Sequence, residues 1–383
     1  MAASKKTFYT ICYIASSMSL LAFAFVSYMK LHSWAGYLLA LFFVSLAIAF
    51  RGNKLLKGYW YSVVILAVAT IAMYFPQYFK TVGGKESSFF IPILLQMIMF
   101  GMGTELSLND FAKVMRMPKG VIVGIVCHYT IMPLVGFAVA HLFNFPAEIA
   151  AGIILIGCCP SGLASNVMCY LAKANLALSV SVTTVSTLLA PFLTPLLMKL
   201  LGGSYVTIDL WAMVWDITKI VIIPIAAGLA FHYILRGKIK WLDKVMPVIS
   251  MVGIALVLLV ITAAGRDNLL KVGGLLIVAT FIHNMSGYFL GYWSARLLKF
   301  PESDCRTIAL EVGMQNAGLA SALARSMGKI ATMGLASVIF GTMMNVTGSS
   351  LASWWHNRQP EDKPAEEITA GHENQPIILK TKS

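Results

Sequence analysis

The chain has 383 residues, is 58% apolar and 12% charged, and carries a formal charge of +13 with a mean hydropathy of +0.78. Soluble domains hold roughly 45–50% apolar and about 25% charged residues, so a soluble domain, a disordered chain and a disulfide-stapled secreted fold are excluded. Long unbroken apolar runs exclude an outer-membrane barrel, and the +13 reads as a topology bias of membrane loops rather than a nucleic-acid footprint. The expected fold class is an all-α polytopic membrane protein.

Taken in chain order, apolar runs and breaks predict about twelve spans. The first six are Phe8–Met29, Trp34–Phe50, Trp60–Tyr78, Phe89–Leu106, Gly120–Phe143 and Ala147–Leu171. The rest are Leu176–Leu201, Trp211–Leu235, Val245–Ala264, Leu269–Leu298, Thr307–Ala324 and Ile330–Trp355. The first run is too long for a signal-peptide core of about 7–15 residues and fits a spanning helix of about 20. The segment 357–383 is polar and reads as a disordered extension. With both termini in the cytoplasm, 20 of the 29 lysines and arginines fall on the inner side, 8 on the outer, and Lys219 inside a span. That asymmetry fits the positive-inside rule and an inner, plasma-type membrane.

The six cysteines, among them Cys158 and Cys159, sit in or beside apolar runs without metal-ligand or disulfide spacing, so they read as small buried hydrophobes. No cofactor is expected. Asp216 and Lys219, three apart in the eighth span, predict a local ion pair. Gln96 either lines a cavity or bonds to a neighbouring helix, and His283-Asn284 reads as a packing and hydrogen-bonding pair.

Two spans carry residues that a lipid-facing helix would not select. The sixth contains Cys158-Cys159-Pro160-Ser161-Gly162-Leu163-Ala164-Ser165-Asn166, and the eleventh contains Glu311-Val312-Gly313-Met314-Gln315-Asn316-Ala317-Gly318. Non-helical backbone at membrane depth is tolerated only inside protein or along a cavity. The breaks lie five spans apart, so they cross the membrane in opposite senses. This predicts an inverted five-helix repeat, with halves at about 58–202 and 208–356, and a binding site where the breaks cross. Half-helix N-termini aimed at the midplane favour an anion.

Glu311 is the one acid placed deep within a span, where an unpaired carboxylate costs at least about 2.5 kcal/mol. It is either a protonated or hydrogen-bonded structural acid or a carboxylate neutralised by a cation. Ser165, Asn166, Gln315, and Ser179 with Thr183 at i, i+4, supply hard oxygen ligands, which suit sodium rather than zinc.

These motifs, with Ala177-Leu178-Ser179-Val180, Thr183 and Phe100-Gly101-Met102-Gly103, resemble the bile acid:sodium symporter family from about Trp60 to Trp355. The resemblance implies ten helices split into a panel and a core domain with two crossing broken helices. It implies one sodium site at Ser165, Asn166, Ser179, Thr183 and Glu311. A second would use Glu311, the carbonyls of Val312 and Met314, and Gln315. Family members take a glutamine there from the preceding span, and the matching residue here is His128. That histidine either reshapes the second site or hydrogen-bonds to a backbone carbonyl. At the substrate face, Leu163 and Met344 replace polar family residues, and Asn316 is retained.

These departures favour a small organic anion, such as a keto acid or pantoate, over a bile acid. The expected function is a sodium-coupled symporter importing that anion, not an enzyme and not a nucleic-acid binder. The alternative is a proton-coupled or uncoupled carrier of the arsenite or auxin type, and then a membrane-embedded enzyme. Residues 1–57, an added helix pair, have no counterpart in the ten-helix pattern of 58–356. Substrate identity, sodium stoichiometry and oligomeric state are not fixed by the sequence.

Overall fold

Helix occupies every one of the expected spans in the computed structural model, which describes residues 2–53, 56–106, 117–235 and 242–360. Most of the expected disordered tail, residues 361–383, lies outside the described residues. The helices are α1 (Ala2–Tyr28), α2 (His32–Arg51), α3 (Trp60–Tyr74), α4 (Ile91–Glu105) and α5 (Pro118–Leu142). Next come the two halves α6a (Ala147–Cys158) and α6b (Ala164–Leu171), then α7 (Leu176–Leu197), α8 (from Leu210 to Leu235) and α9 (Leu242–Ala264). The chain closes with α10 (Arg266–Leu297), α11a (Glu302–Gly313), α11b (Ala317–Ser326) and α12 (Met333–His356).

Eight of the described helical stretches are long and apolar enough to cross a membrane individually. The other four expected spans fall short for local reasons. α3 gives way to a 3₁₀ turn at Pro76, α9 has 17 residues in its apolar stretch, and α6 and α11 are each cut in two. Helix α11a begins at Glu302, five residues before the expected start, because Pro301 precedes it and supplies a fixed φ at the entry. Single π-helical turns at Met198–Gly202, closing α7, and Thr218–Ile222, inside α8, were not foreseen from the sequence.

Two helix groups form the body. Helices α3, α4, α8 and α9 pack together as one layer, and α5, α6, α7, α10, α11 and α12 form the other. The contact of α4 with α8 explains Gly103 and Gly228. A Cβ on Gly103 would lie 2.2 Å from the Ile225 carbonyl oxygen, and one on Gly228 would lie 2.2 Å from that of Phe100. The backbones therefore touch, as small residues allow between membrane helices. Outside both groups, α1 packs along α2, and α2 packs on α3.

Helix ends follow local chemistry. Asn175, Asp209 and Asn316 cap α7, α8 and α11b by accepting from the backbone N–H groups of Leu178, Ala212 and Leu319. Lys30, Lys173 and Lys299 take left-handed φ just beyond α1, α6b and α10. The following N–H reaches back five residues in each case, for example Phe300 to the Ala295 carbonyl at 3.1 Å. A lysine there places positive charge at the negative end of the helix dipole.

The entries to α6a and α11a are alike. Left-handed Asn144 (φ 49°) and Lys299 (φ 62°) each precede a Phe-Pro pair, Phe145-Pro146 and Phe300-Pro301. Each half-helix then runs 12 residues with an acid in its first turn, Glu148 in one and Glu302 in the other.

Candidate functional site

The two breaks meet. After Cys158 the backbone turns extended at Cys159, and after Gly313 it does so at Met314. Ser161 and Gln315 then pair as an isolated antiparallel bridge. The Gly162 N–H donates to the Met314 carbonyl at 3.0 Å, and the Asn316 N–H donates to the Pro160 carbonyl at 2.8 Å. Backbone groups freed by breaking both helices thus satisfy one another inside the protein, as burial away from water demands. A Cβ on Gly162 would lie 2.6 Å from the Gln315 carbonyl oxygen, so the crossing needs glycine there.

Behind the crossing lies Glu311, fully buried. Its Oε1 accepts from the Ser165 hydroxyl at 2.6 Å and the Ser179 hydroxyl at 2.5 Å, and its Oε2 accepts from Thr183 at 2.8 Å. Asn166 Oδ1 stands 2.7 Å from the Ser179 hydroxyl and 3.4 Å from that of Thr183. Three elements supply these groups: α6b carries Ser165 and Asn166, α7 carries Ser179 and Thr183 one turn apart, and α11a carries Glu311.

Each hydroxyl has one proton. Ser179 faces two oxygen acceptors, and Ser165 faces Glu311 and, at 2.8 Å, the Gly162 carbonyl. Oxygen lone pairs therefore exceed donor protons in a pocket that holds a carboxylate. Among the described residues no lysine or arginine forms an ion pair with Glu311. The cluster has the makings of a small hard-cation site.

The second set gathers at the end of the same helix, where α11a breaks after Gly313. Gln315 donates from Nε2 to the Val312 carbonyl at 2.8 Å, while its own Oε1 is buried without a hydrogen-bond partner. The Met314 carbonyl accepts from Gly162 and, at 3.3 Å, from the Ser161 hydroxyl. His128 on α5 is fully buried, with Nδ1 3.0 Å from the Glu311 carbonyl and Nε2 2.8 Å from the Cys159 carbonyl. The ring thus touches the backbone of both broken helices, and a neutral imidazole donates to one of the two.

A cavity of about 590 Å³ opens between the two helix groups, bordered on one side by the crossing. Leu163, Asn316 and Met344 all line it, and so do Asn166 and Gln315, which therefore border both the cavity and the oxygen cluster. Asn316 spends its amide oxygen on the cap of α11b, at 3.0 Å from the Leu319 N–H. The opposite wall comes from Tyr61, Met99, Met102 and Met251. Sequence reasoning assigned none of these to the cavity, and it placed Ser161 in the break without a role of its own. A polar residue beside Gly162 was a usable signal for Ser161, whereas apolar residues on separate helices carry none.

The other expected partners are in place. Gln96 donates to the Lys219 carbonyl on α8 at 3.2 Å, and Lys219 pairs with Asp216 at 2.9 Å. His283 sits 2.9 Å from the Met132 carbonyl, and Asn284 donates to the Gly313 carbonyl at 2.8 Å. The described cysteines are all buried and none of them forms a disulfide, and no cluster of metal-ligating His, Cys, Asp or Glu occurs among the described residues.

The fold is thus a polytopic helical membrane protein whose site is built on two interrupted helices. A model of the sodium bile acid symporter family matches residues 92–272. The uncharacterized sodium-dependent transporter YocS of Bacillus subtilis (strain 168) is 40% identical over 301 residues, covering 79% of this chain and 92% of that protein. The probable sodium/metabolite cotransporter BASS1, chloroplastic, of Oryza sativa subsp. japonica is 36% identical over 265 residues, 69% of this chain and 65% of its own length. The ileal sodium/bile acid cotransporter of Oryctolagus cuniculus is 34% identical over 243 residues, 61% of this chain and 68% of its own. The chain belongs to the sodium bile acid symporter family.

Proposed function

We propose that this protein is a sodium-coupled symporter that imports a small organic anion through the cavity beside the crossing. The observation that carries the reading is Glu311, a buried carboxylate ringed by oxygen atoms and lacking an ion-pair partner among the described residues. In this reading one sodium lies among Ser165, Asn166, Ser179, Thr183 and Glu311. A second sodium would use Glu311, the carbonyls of Val312 and Met314, and Gln315, whose orphaned Oε1 is the group a cation would satisfy. Sodium is cargo here, with no resident cofactor.

The names of the relatives support sodium dependence and leave the anion open. Bacillus YocS is named sodium-dependent, the rice relative a metabolite cotransporter, the rabbit relative a bile acid cotransporter. Among the described residues no lysine, arginine or histidine lines the cavity, so an anion would be met by the N-termini of α6b and α11b and by the amides of Asn166 and Asn316. Leu163 and Met344 on the same wall favour a keto acid or pantoate over a bile acid. The paired Phe-Pro entries and equal lengths of α6a and α11a support an inverted repeat over 58–202 and 208–356, with residues 1–57 an addition. A cell-membrane location with both termini in the cytoplasm follows from the lysine and arginine bias.

The test is the thermal midpoint of purified protein in sodium chloride and in potassium chloride, each with and without candidate keto acids. Sodium is expected to raise the midpoint, and a transported anion to raise it further only with sodium present. Equal midpoints in the two salts would favour the proton-coupled or uncoupled carrier. His128→Gln is expected to change the cooperativity of sodium activation, because it replaces the ring that touches the Glu311 and Cys159 carbonyls. An unaltered sodium curve would assign His128 to packing alone.

A further inference from the structure

Away from the crossing, a second cavity of about 520 Å³ lies where the C-terminal ends of α10 and α12 meet the start of α11a. Three guanidinium groups line it, those of Arg296, Arg306 and Arg358, against the single carboxylate of Glu302. That carboxylate is already engaged. Its Oε1 accepts from Arg306 Nε at 2.9 Å and its Oε2 from the Tyr292 hydroxyl at 2.6 Å, while Arg296 reaches it only at 3.9 Å.

Arg306 is the frame. It is 3% exposed, and its Nη1 donates to the carbonyls of Ala172 at 3.1 Å and Arg358 at 3.0 Å. This pins the end of α12 and fixes where Arg358 emerges. The Arg358 guanidinium lies 4.1 Å from the Trp354 ring centroid and forms no ion pair among the described residues. Arg296 is half exposed. Two cations thus line one cavity, Arg358 without an ion pair among the described residues and Arg296 with only a long contact to Glu302.

Each arginine ends an apolar stripe. On α10 the stripe is Met285, Phe289 and Trp293, spaced by four residues and followed by Arg296. On α12 it is Leu351 and Trp354, followed by Arg358 just past the helix end. Phe289, Trp293 and Trp354 are each exposed by about half or more, so the stripes face the bilayer rather than the core. From Met285 to Arg296 the helix rises about 16 Å, roughly half of a hydrocarbon core of about 30 Å. An aromatic-lined slot one leaflet deep, capped by two arginines, matches one ligand chemistry.

We infer that this cavity binds an anionic phospholipid, its phosphodiester between Arg296 and Arg358 and an acyl chain along Phe289 and Trp293. Planar guanidinium groups bind phosphate oxygens in bidentate fashion, and basic pockets between membrane helices select anionic headgroups. The exposed rings at the mouth select hydrocarbon, which a free phosphate does not provide. The site is separate from the proposed sodium and anion sites, and it stands or falls apart from them.

The test uses the full-length protein in uncharged detergent, titrated with dioleoyl phosphatidylglycerol, dioleoyl phosphatidylcholine or glycerol phosphate while its thermal midpoint is followed. Phosphatidylglycerol is expected to raise the midpoint more than phosphatidylcholine, and glycerol phosphate to leave it unchanged. The double variant R296Q/R358Q is expected to need about tenfold more phosphatidylglycerol for the same shift, and R296K/R358K to keep most of the response. Equal shifts with the two lipids, or an equal response in the glutamine variant, would overturn the proposal. A midpoint raised by glycerol phosphate would do so in favour of a soluble anion. A lipid response seen only after deletion of residues 361–383 would do so in favour of the tail.

Discussion

Glu311→Gln is expected to abolish sodium-stimulated uptake while leaving the protein at least as stable without sodium as the unaltered chain. Both halves of that result come from the same geometry. Three hydroxyls point at the carboxylate, from Ser165, Ser179 and Thr183. Hydrogen bonds to a charged group are each worth about 1.5–3 kcal/mol, but a buried charge without a counter-ion is costly to desolvate. An amide keeps the shape and one acceptor oxygen while removing the charge, so the fold loses little or gains. A cation at the proposed site, by contrast, loses the one formal negative charge that the described residues supply there. Uptake in sodium should fall by about a hundredfold or more, the effect of some 3 kcal/mol, and the sodium-dependent rise in thermal midpoint should vanish. Glu311→Ala should behave alike in uptake but melt lower, since it also leaves a cavity and orphaned hydroxyls. Retained sodium stimulation in either variant would remove Glu311 from the coupling site.

Gly162→Ala is expected to cut transport about tenfold or more and to lower the thermal midpoint by several degrees. The added Cβ would sit 2.6 Å from the Gln315 carbonyl oxygen, which is backbone and cannot swing aside. Relieving that contact means lengthening the Gly162–Met314 and Asn316–Pro160 hydrogen bonds, now 3.0 Å and 2.8 Å. Overpacking of this kind costs about 1–3 kcal/mol, which is about tenfold to a hundredfold in any equilibrium that needs the original geometry. Met314→Ala, which keeps its backbone carbonyl, should spare the crossing. Wild-type transport by the Gly162→Ala protein would show that the two breaks need not touch.

The spans were legible because the bilayer imposes a length and a polarity that a sequence must meet alone, one helix at a time. The breaks at Pro160-Gly162 and Gly313 were legible for the same reason, since nothing else explains polar residues and helix breakers at that depth. Once both breaks were located, Glu311, Ser165 and Asn166 could be grouped with each other, and Ser179 with Thr183 by helical spacing. What stayed hidden lies between helices distant in sequence. The far wall of the cavity, Tyr61, Met102 and Met251, comes from three helices far apart in the chain. The π turns at Met198–Gly202 and Thr218–Ile222 are formed by ordinary residues that give no signal of their own. His128 is the intermediate case. Its depth was readable, but its contacts to the Glu311 and Cys159 carbonyls depend on how three helices meet.

The attachment of the first helix pair has a mechanical consequence. Helix α1 packs along α2 and α2 on α3, so among the described residues the pair is attached mainly to the four-helix layer rather than to the layer that carries both broken helices. If the broken-helix layer shifts during a transport cycle, the graft adds bulk only to the other, stationary side. Drag and lipid contact then rise on the frame and not on the moving part. A change in the helices at that edge would leave the proposed ion site untouched, because the main described contacts of the pair run to the four-helix layer.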